Sequence, residues 1–269
     1  MSLDTSTRGF GWRAVQLFTV LVYIFMFAPI LVVIVLSFNA SQFGGFPMTG
    51  FSLHWYAKLM ENDSVLRAFQ TSLWVAVVTS VVCSVLGILA AVALVRYDFP
   101  GKEWVNTILI APALVPETVL GVGLLLLMRF AHQPRTLWLL VLGHIMLALP
   151  YVVLVVQARL IGVKRVYEEA AMSLGANRFQ TFREITLPLI MPAIVASLLL
   201  VFTISFDNIT ASMFWRPSGV ETMPTEILSM LKISISPEIN ALGTLMIVVT
   251  VGLPLLGGGL ARYLARSAR

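Results

Sequence analysis

Tyr167-Glu168-Glu169-Ala170-Ala171-Met172-Ser173-Leu174-Gly175-Ala176-Asn177-Arg178, continued by Phe179-Gln180-Thr181-Phe182-Arg183-Glu184-Ile185-Thr186-Leu187-Pro188, is the stretch on which the reading of this chain turns. Alanine, glutamate, methionine and leucine favour a short helix from about Val166 to Leu174. Gly175 then supplies a left-handed stop. A second helix is expected from about Arg178 to Thr186, ending before Pro188, which disfavours helical geometry in the residue ahead of it. The pattern is helix, sharp bend, helix. Ala170 and Ala171 carry side chains small enough for the first helix to sit deep in a partner's groove, with Glu168 and Glu169 free to meet basic groups at its rim. On residue chemistry alone, a solvated amphipathic connector reads equally well.

Outward from this segment the chain is apolar. Of 269 residues, 58% are hydrophobic and 12% charged, about half the charged share of a soluble domain. Stretches long enough to cross about 30 Å of hydrocarbon run over 14–38, 72–95, 105–128, 136–156, 190–214 and 241–260. The expectation is an all-α membrane protein of six spans, a single domain over 1–269 with its longest internal connection at 159–188. Arg8 and Arg13 before the first span resemble a signal peptide, but the apolar run is too long and no small-residue cleavage pattern follows, so it reads as retained.

The net charge of +5 comes from basic residues scattered singly over short loops, which argues for topology rather than nucleic acid. With the N-terminus in the cytoplasm, twelve fall inside: Arg8, Arg13, Arg96, Lys102, Arg159, Lys164, Arg165, Arg178, Arg183, Arg262, Arg266 and Arg269. Lys58, Arg67, Arg129, Arg135, Arg216 and Lys232, six residues, fall outside. That bias places both termini in the cytoplasm. Tryptophans 12, 55, 104, 138 and 215 lie near span ends or in loops, as interfacial anchors would. Prolines 29, 112, 116, 150 and 254 interrupt spans and are candidates for bends. Gly257, Gly258 and Gly259 lack the spacing and lysine of a phosphate loop and read as a site of close helix approach.

Two carboxylates fall within spans. Glu117 is expected near the middle of the third and Asp207 toward the external end of the fifth, both costly against lipid. They should face the interior, where they would suit a cationic solute or be paired locally. His144 reads as a helix-packing hydrogen-bond partner and Cys83 as a small packing residue. The three histidines show no metal spacing, and no catalytic carboxylate pair or nucleophile motif appears.

The spacing Glu169-Ala170-Ala171, three residues, Gly175, nine residues, Ile185, one residue, Leu187-Pro188 resembles the EAA loop of permease subunits in binding-protein-dependent ATP-binding-cassette importers. The resemblance implies a type I permease fold whose coupling helix, carrying Glu168, Glu169, Ala170, Ala171, Gly175 and Pro188, docks into a separate cytoplasmic ATPase. It implies two ATP-binding subunits, a second permease subunit that is either a sibling chain or an identical copy, with a sibling chain expected, a periplasmic substrate-binding protein and a bacterial inner membrane. ATP and magnesium would be held by the ATPase subunits and no cofactor by this chain, which has no Gly-x-x-x-x-Gly-Lys-Ser/Thr loop.

Gly50-Phe51-Ser52-Leu53-His54-Trp55-Tyr56, Ser205-Phe206-Asp207-Asn208 and Ser236-Pro237-Glu238-Ile239-Asn240-Ala241 resemble segments of the spermidine/putrescine type of permease. This implies a small amine as cargo, with Glu117 and Asp207 along its route. Permeases of the same kind for 2-aminoethylphosphonate, an opine or another amino-acid derivative are the alternative. Where the polyamine subgroup has two acidic residues, this chain has Asp207 followed by Asn208. An ion-coupled secondary transporter is the rival from another class, and the EAA-like loop argues against it.

Overall fold

A computed structural model describes residues 10–42, 45, 47–233 and 236–267. Arg8 and Arg269, which contribute to the charge asymmetry, lie outside the described residues, as do the side chains of Arg262 and Arg266. The described residues are almost wholly helical. They divide into two compact units, Met1–Glu61 with Met230–Leu245, and Asn62–Ser229 with Met246–Arg269.

In the smaller unit, α1 (Phe10–Leu36) is apolar on every side, and its side chains, Phe18 and Phe25 among them, are exposed. Such a helix needs lipid or another chain around it. After it the backbone turns through a single antiparallel bridge, Asn39 to Phe51, into α2 (His54–Glu61). Trp55 is buried here and its indole N–H donates to the Asn39 carbonyl at 2.7 Å. Ser37 Oγ and Tyr56 Oη share a 2.7 Å hydrogen bond, and Lys58 Nζ lies 2.8 Å from Glu238 Oε2 at the start of α12 (Pro237–Ser267).

The larger unit is built on three long helices packed against one another: α3 (Asp63–Arg96), α6 (Leu137–Ile161) and α9 (Leu187–Phe206). Asn62 caps α3 by accepting from the Ser64 and Val65 amides, and Thr136 caps α6 through the Leu139 amide. Their shared core holds Cys83, Ala91, Ala148, Val152, Val156, Leu160, Ile190 and Val201. Gly87 brings α3 onto α6, since a Cβ there would stand 2.5 Å from Val152 Cγ1. Small residues at such crossings let dispersion contacts hold helices together where lipid is as apolar as the core. Gly257 does the same for α12, a Cβ there reaching within 2.6 Å of Leu199 Cδ1, whereas Gly258 and Gly259 face open space.

By length and apolarity, five described helices can cross a membrane, and six spans result if one bent pair counts as one. That pair corrects the expectation of a straight third span. α4 (Lys102–Ile110) runs into a 3-10 turn at Ala111–Ala113, and after a break the chain resumes as α5 (Glu117–Phe130), bent by 105°. Pro116, at φ −54° and ψ 132°, takes the chain out of helical geometry and presses Val115 out of it too. The fifth span is also interrupted. α9 ends at Phe206, and Asn208 caps a separate short helix, α10 (Ile209–Trp215), by accepting from the Ala211 amide at 2.6 Å.

Two further expectations are corrected. Trp55 and Trp215 are interior residues, not interfacial anchors, while Trp12, Trp104 and Trp138 remain exposed. Pro188 does not stop a helix. α8 (Arg178–Thr181) continues through a π-helical turn at Phe182–Thr186 into α9, with Pro188 in the first turn of α9. The wider turn lets the Leu187 amide reach back five residues to the Phe182 carbonyl, which gives the proline ring the room an α-turn would deny it.

Candidate functional site

The segment quoted at the outset forms a hinge. α7 (Val166–Ser173) is closed by a pair of bonds, Ala176 N–H to Ala171 O at 3.1 Å and Gly175 N–H to Met172 O at 3.0 Å. This is the Schellman arrangement, and Gly175 occupies its left-handed position at φ +93°. Asn177 then starts α8 with a capping box: its side chain accepts from the Gln180 amide and its own amide donates to the Gln180 side chain, both at 2.9 Å. A helix stop and a helix start two residues apart fix the bend.

Glu169, Ala170 and Gly175 are exposed on this hinge and Ala171 is half-buried. Large apolar side chains stand beside them: Leu174 is 90% exposed and Phe179 71% exposed. Neither is among the residues that the loop motif marks out, although two bulky apolar residues flanking a glycine in a polar segment are a readable signal. Glu168 departs from its expected place at the rim. Its carboxylate turns inward to Arg96, whose Nε lies 3.0 Å from Oε1 and 3.0 Å from Oε2, and it accepts from Thr186 Oγ1 at 2.9 Å. A cavity of about 310 Å³ opens beside this pair, lined among others by Arg165, Glu169 and Arg178.

The second constellation lies where the two interrupted spans meet. Glu117 is the first residue of α5 rather than the middle of a helix, and it is exposed. Asp207 stands exposed in the break between α9 and α10. The structure brings Glu117 to Asn208, the neighbour of Asp207, whose Nδ2 donates to Glu117 Oε2 at 3.3 Å. Among the described residues neither carboxylate has a cation within ion-pair distance.

Behind them the packing is close. Trp215 is fully buried, donates to the Gly121 carbonyl at 2.9 Å and packs against Gly143, where a Cβ would overlap its ring. Buried His144 places Nδ1 2.8 Å from Ser205 Oγ and Nε2 3.5 Å from Ser212 Oγ, joining α6 to both sides of the α9–α10 break. A hydrogen-bonded packing histidine is what the sequence suggested.

The family described as binding-protein-dependent transport system inner membrane component matches residues 83–269. The chain is 41% identical over 234 residues to the spermidine/putrescine transport system permease protein PotC of Escherichia coli K12, covering 87% of this chain and 88% of that protein. It is 37% identical over 246 residues to the putrescine transport system permease protein PotI of the same strain, covering 88% and 85%. Its fold matches, at a TM-score of 0.76 and 16% identity, a chain of a bacterial transporter that imports the acidic polysaccharide alginate, over 96% of each chain. The EAA-like hinge, the bundle of spans and these likenesses agree, and the chain belongs to the binding-protein-dependent inner membrane components, the permease subunits of ATP-binding-cassette importers.

Proposed function

We propose that this chain is half of the translocation pathway of an importer that takes small amines, spermidine or putrescine, from a periplasmic binding protein and passes them to the cytoplasm. The observation that carries the cargo is the pair of polyamine permeases at 41% and 37% identity over most of the chain. Geometry supports it: Glu117 and Asp207 sit exposed and without an ion-pair partner among the described residues, at breaks in two spans. A cationic amine would be attracted to such carboxylates more strongly in a narrow low-dielectric route than in bulk water. Broken spans free backbone polar groups, which a membrane protein tolerates where they are buried in protein or line a water-filled route, and the exposed carboxylates at these breaks favour the route.

The assembly we infer has two ATP-binding subunits, a second permease and the binding protein, with 1–269 acting as one permease domain. Both termini lie in the cytoplasm, which puts the Glu168–Pro188 hinge on the ATPase side. There Glu169, Ala170, Ala171, Leu174 and Phe179 form the docking face. Binding and hydrolysis of ATP with magnesium belong to the partner subunits.

The test is uptake of labelled putrescine and spermidine by cells stripped of their own polyamine importers and supplied with this permease, its genomic neighbours and their binding protein. ATP-dependent uptake of either amine is expected. Uptake of neither, with the binding protein selecting a non-amine ligand, would overturn the cargo assignment.

A further inference from the structure

We propose that Arg96 and Glu168 form the clamp through which the hinge helix α7 moves the membrane bundle, keeping solute passage tied to ATP hydrolysis. The proposal rests on the importer reading above. No residue of α7 is fully buried and only Glu168 and Ala171 are half-buried, so apolar packing gives the helix little to push with. What holds it is polar. Arg96, the last residue of α3, places Nε 3.0 Å from each Glu168 carboxylate oxygen and donates from Nη2 to the Val163 carbonyl at 3.0 Å. Thr186, in the π-helical turn that feeds α9, donates to Glu168 Oε1 at 2.9 Å.

Arg165, immediately ahead of α7, completes the set by donating from Nη2 to the Val95 and Arg96 carbonyls at 3.1 and 3.2 Å. One carboxylate therefore joins α7 to α3 and to the start of α9, two of the three helices that build the bundle. The Arg96 and Glu168 side chains are only 11% and 14% exposed. Separating them would leave a charge buried without its partner, so α7 is constrained to move with the ends of α3 and α9. The guanidinium fork and the Thr186 hydroxyl also fix direction, which an ammonium in the same place would not.

The deciding experiment uses the complete complex in liposomes with loaded binding protein and reads two quantities, amine imported per ATP hydrolysed and recovery of the ATPase subunits with the permease. Glu168→Gln and Arg96→Lys are expected to retain the ATPase subunits while import per ATP falls about tenfold, the scale of a lost coupling interaction. The reversed pair Arg96→Glu with Glu168→Arg should recover part of that loss, and Thr186→Val should show a smaller one. Wild-type import per ATP in Arg96→Lys and Glu168→Gln would overturn the proposal. So would a loss that tracks ATPase recovery alone in every variant. Failure of the importer reading looks different, since the wild-type complex would then import nothing on ATP addition.

Discussion

Asn208 Nδ2 donates to Glu117 Oε2 at 3.3 Å while its Oδ1 accepts the Ala211 amide at 2.6 Å. The cap fixes which way the amide faces: the oxygen must meet the backbone donor, so the NH₂ is left for the carboxylate. One side chain thus starts α10 and holds it to the start of α5, joining the breaks of two spans that are 91 residues apart in sequence. Asp207, one residue earlier, is exposed and has no ion-pair partner among the described residues. Asp207→Asn is therefore expected to leave folding intact and to cut the initial rate of amine uptake several-fold, by removing a charge attraction of about 1 kcal/mol. Uptake kinetics at matched expression check this, and unchanged kinetics would remove Asp207 from the route.

Gly175 sits at φ +93° with open space where a Cβ would go. The cost of a side chain is therefore conformational rather than steric crowding, on the order of 1–2 kcal/mol and more for a β-branched residue. Gly175→Val should unseat the Schellman closure and turn α7 relative to α8. ATP hydrolysis stimulated by loaded binding protein should fall sharply in this variant and less in Gly175→Ala. Equal stimulation in wild type and Gly175→Val would show that the bend is not needed for docking.

Much of this was legible in the chain. Apolar runs marked the spans, and the first hinge helix came out at Val166–Ser173 with its left-handed glycine, because propensity and a missing Cβ act locally. What escaped depended on distant partners. Pro188 signals a stop, yet a π-turn admits it, with Thr186 bonded to a residue 18 positions back. Trp55 and Trp215 sit near span ends whether they face lipid or core, and only their indole partners, Asn39 O and Gly121 O, distinguish the two. Pro116 announced a bend but not its size. Asn208 is a good capping residue hidden in an apolar run, so the break it makes was read as continuous span. Glu168 looked like its neighbour Glu169 until Arg96, 72 residues away, supplied the difference.

Trp215 and Gly143 make the tightest approach among the described glycines, a Cβ at 143 overlapping Trp215 Cε3 and Cζ3. Gly143→Ala must push the indole aside and stretch its bond to Gly121 O, and backbone or rotamer shifts of this kind typically cost about 1–3 kcal/mol. The apparent melting temperature of the detergent-purified complex should drop. Gly123→Ala, where a Cβ meets nothing within 4 Å, is the control and should melt like the wild type.

Glu226 lies in α11 (Met223–Ile233), outside the spans, and is only 9% exposed. Burial holds its carboxyl above the ordinary range, the nearby charge of Glu221 adds to this, and Arg216 and Arg67 partly oppose it. Glu221 is itself held by Arg216 Nη1 at 2.8 Å. Because the folded chain binds this proton more tightly than the unfolded one, the residue's contribution to stability is fully present below the unfolded carboxyl value of about 4.3. It is lost as pH rises through the higher folded value, where a buried carboxylate must form. Glu226→Gln removes the titration while keeping shape and a neutral polar head. The variant should melt near the wild type in mild acid and above it at neutral pH, the two curves separating as pH rises. Parallel melting curves over that range would mean that Glu226 carries no unfavourable charge in the folded protein.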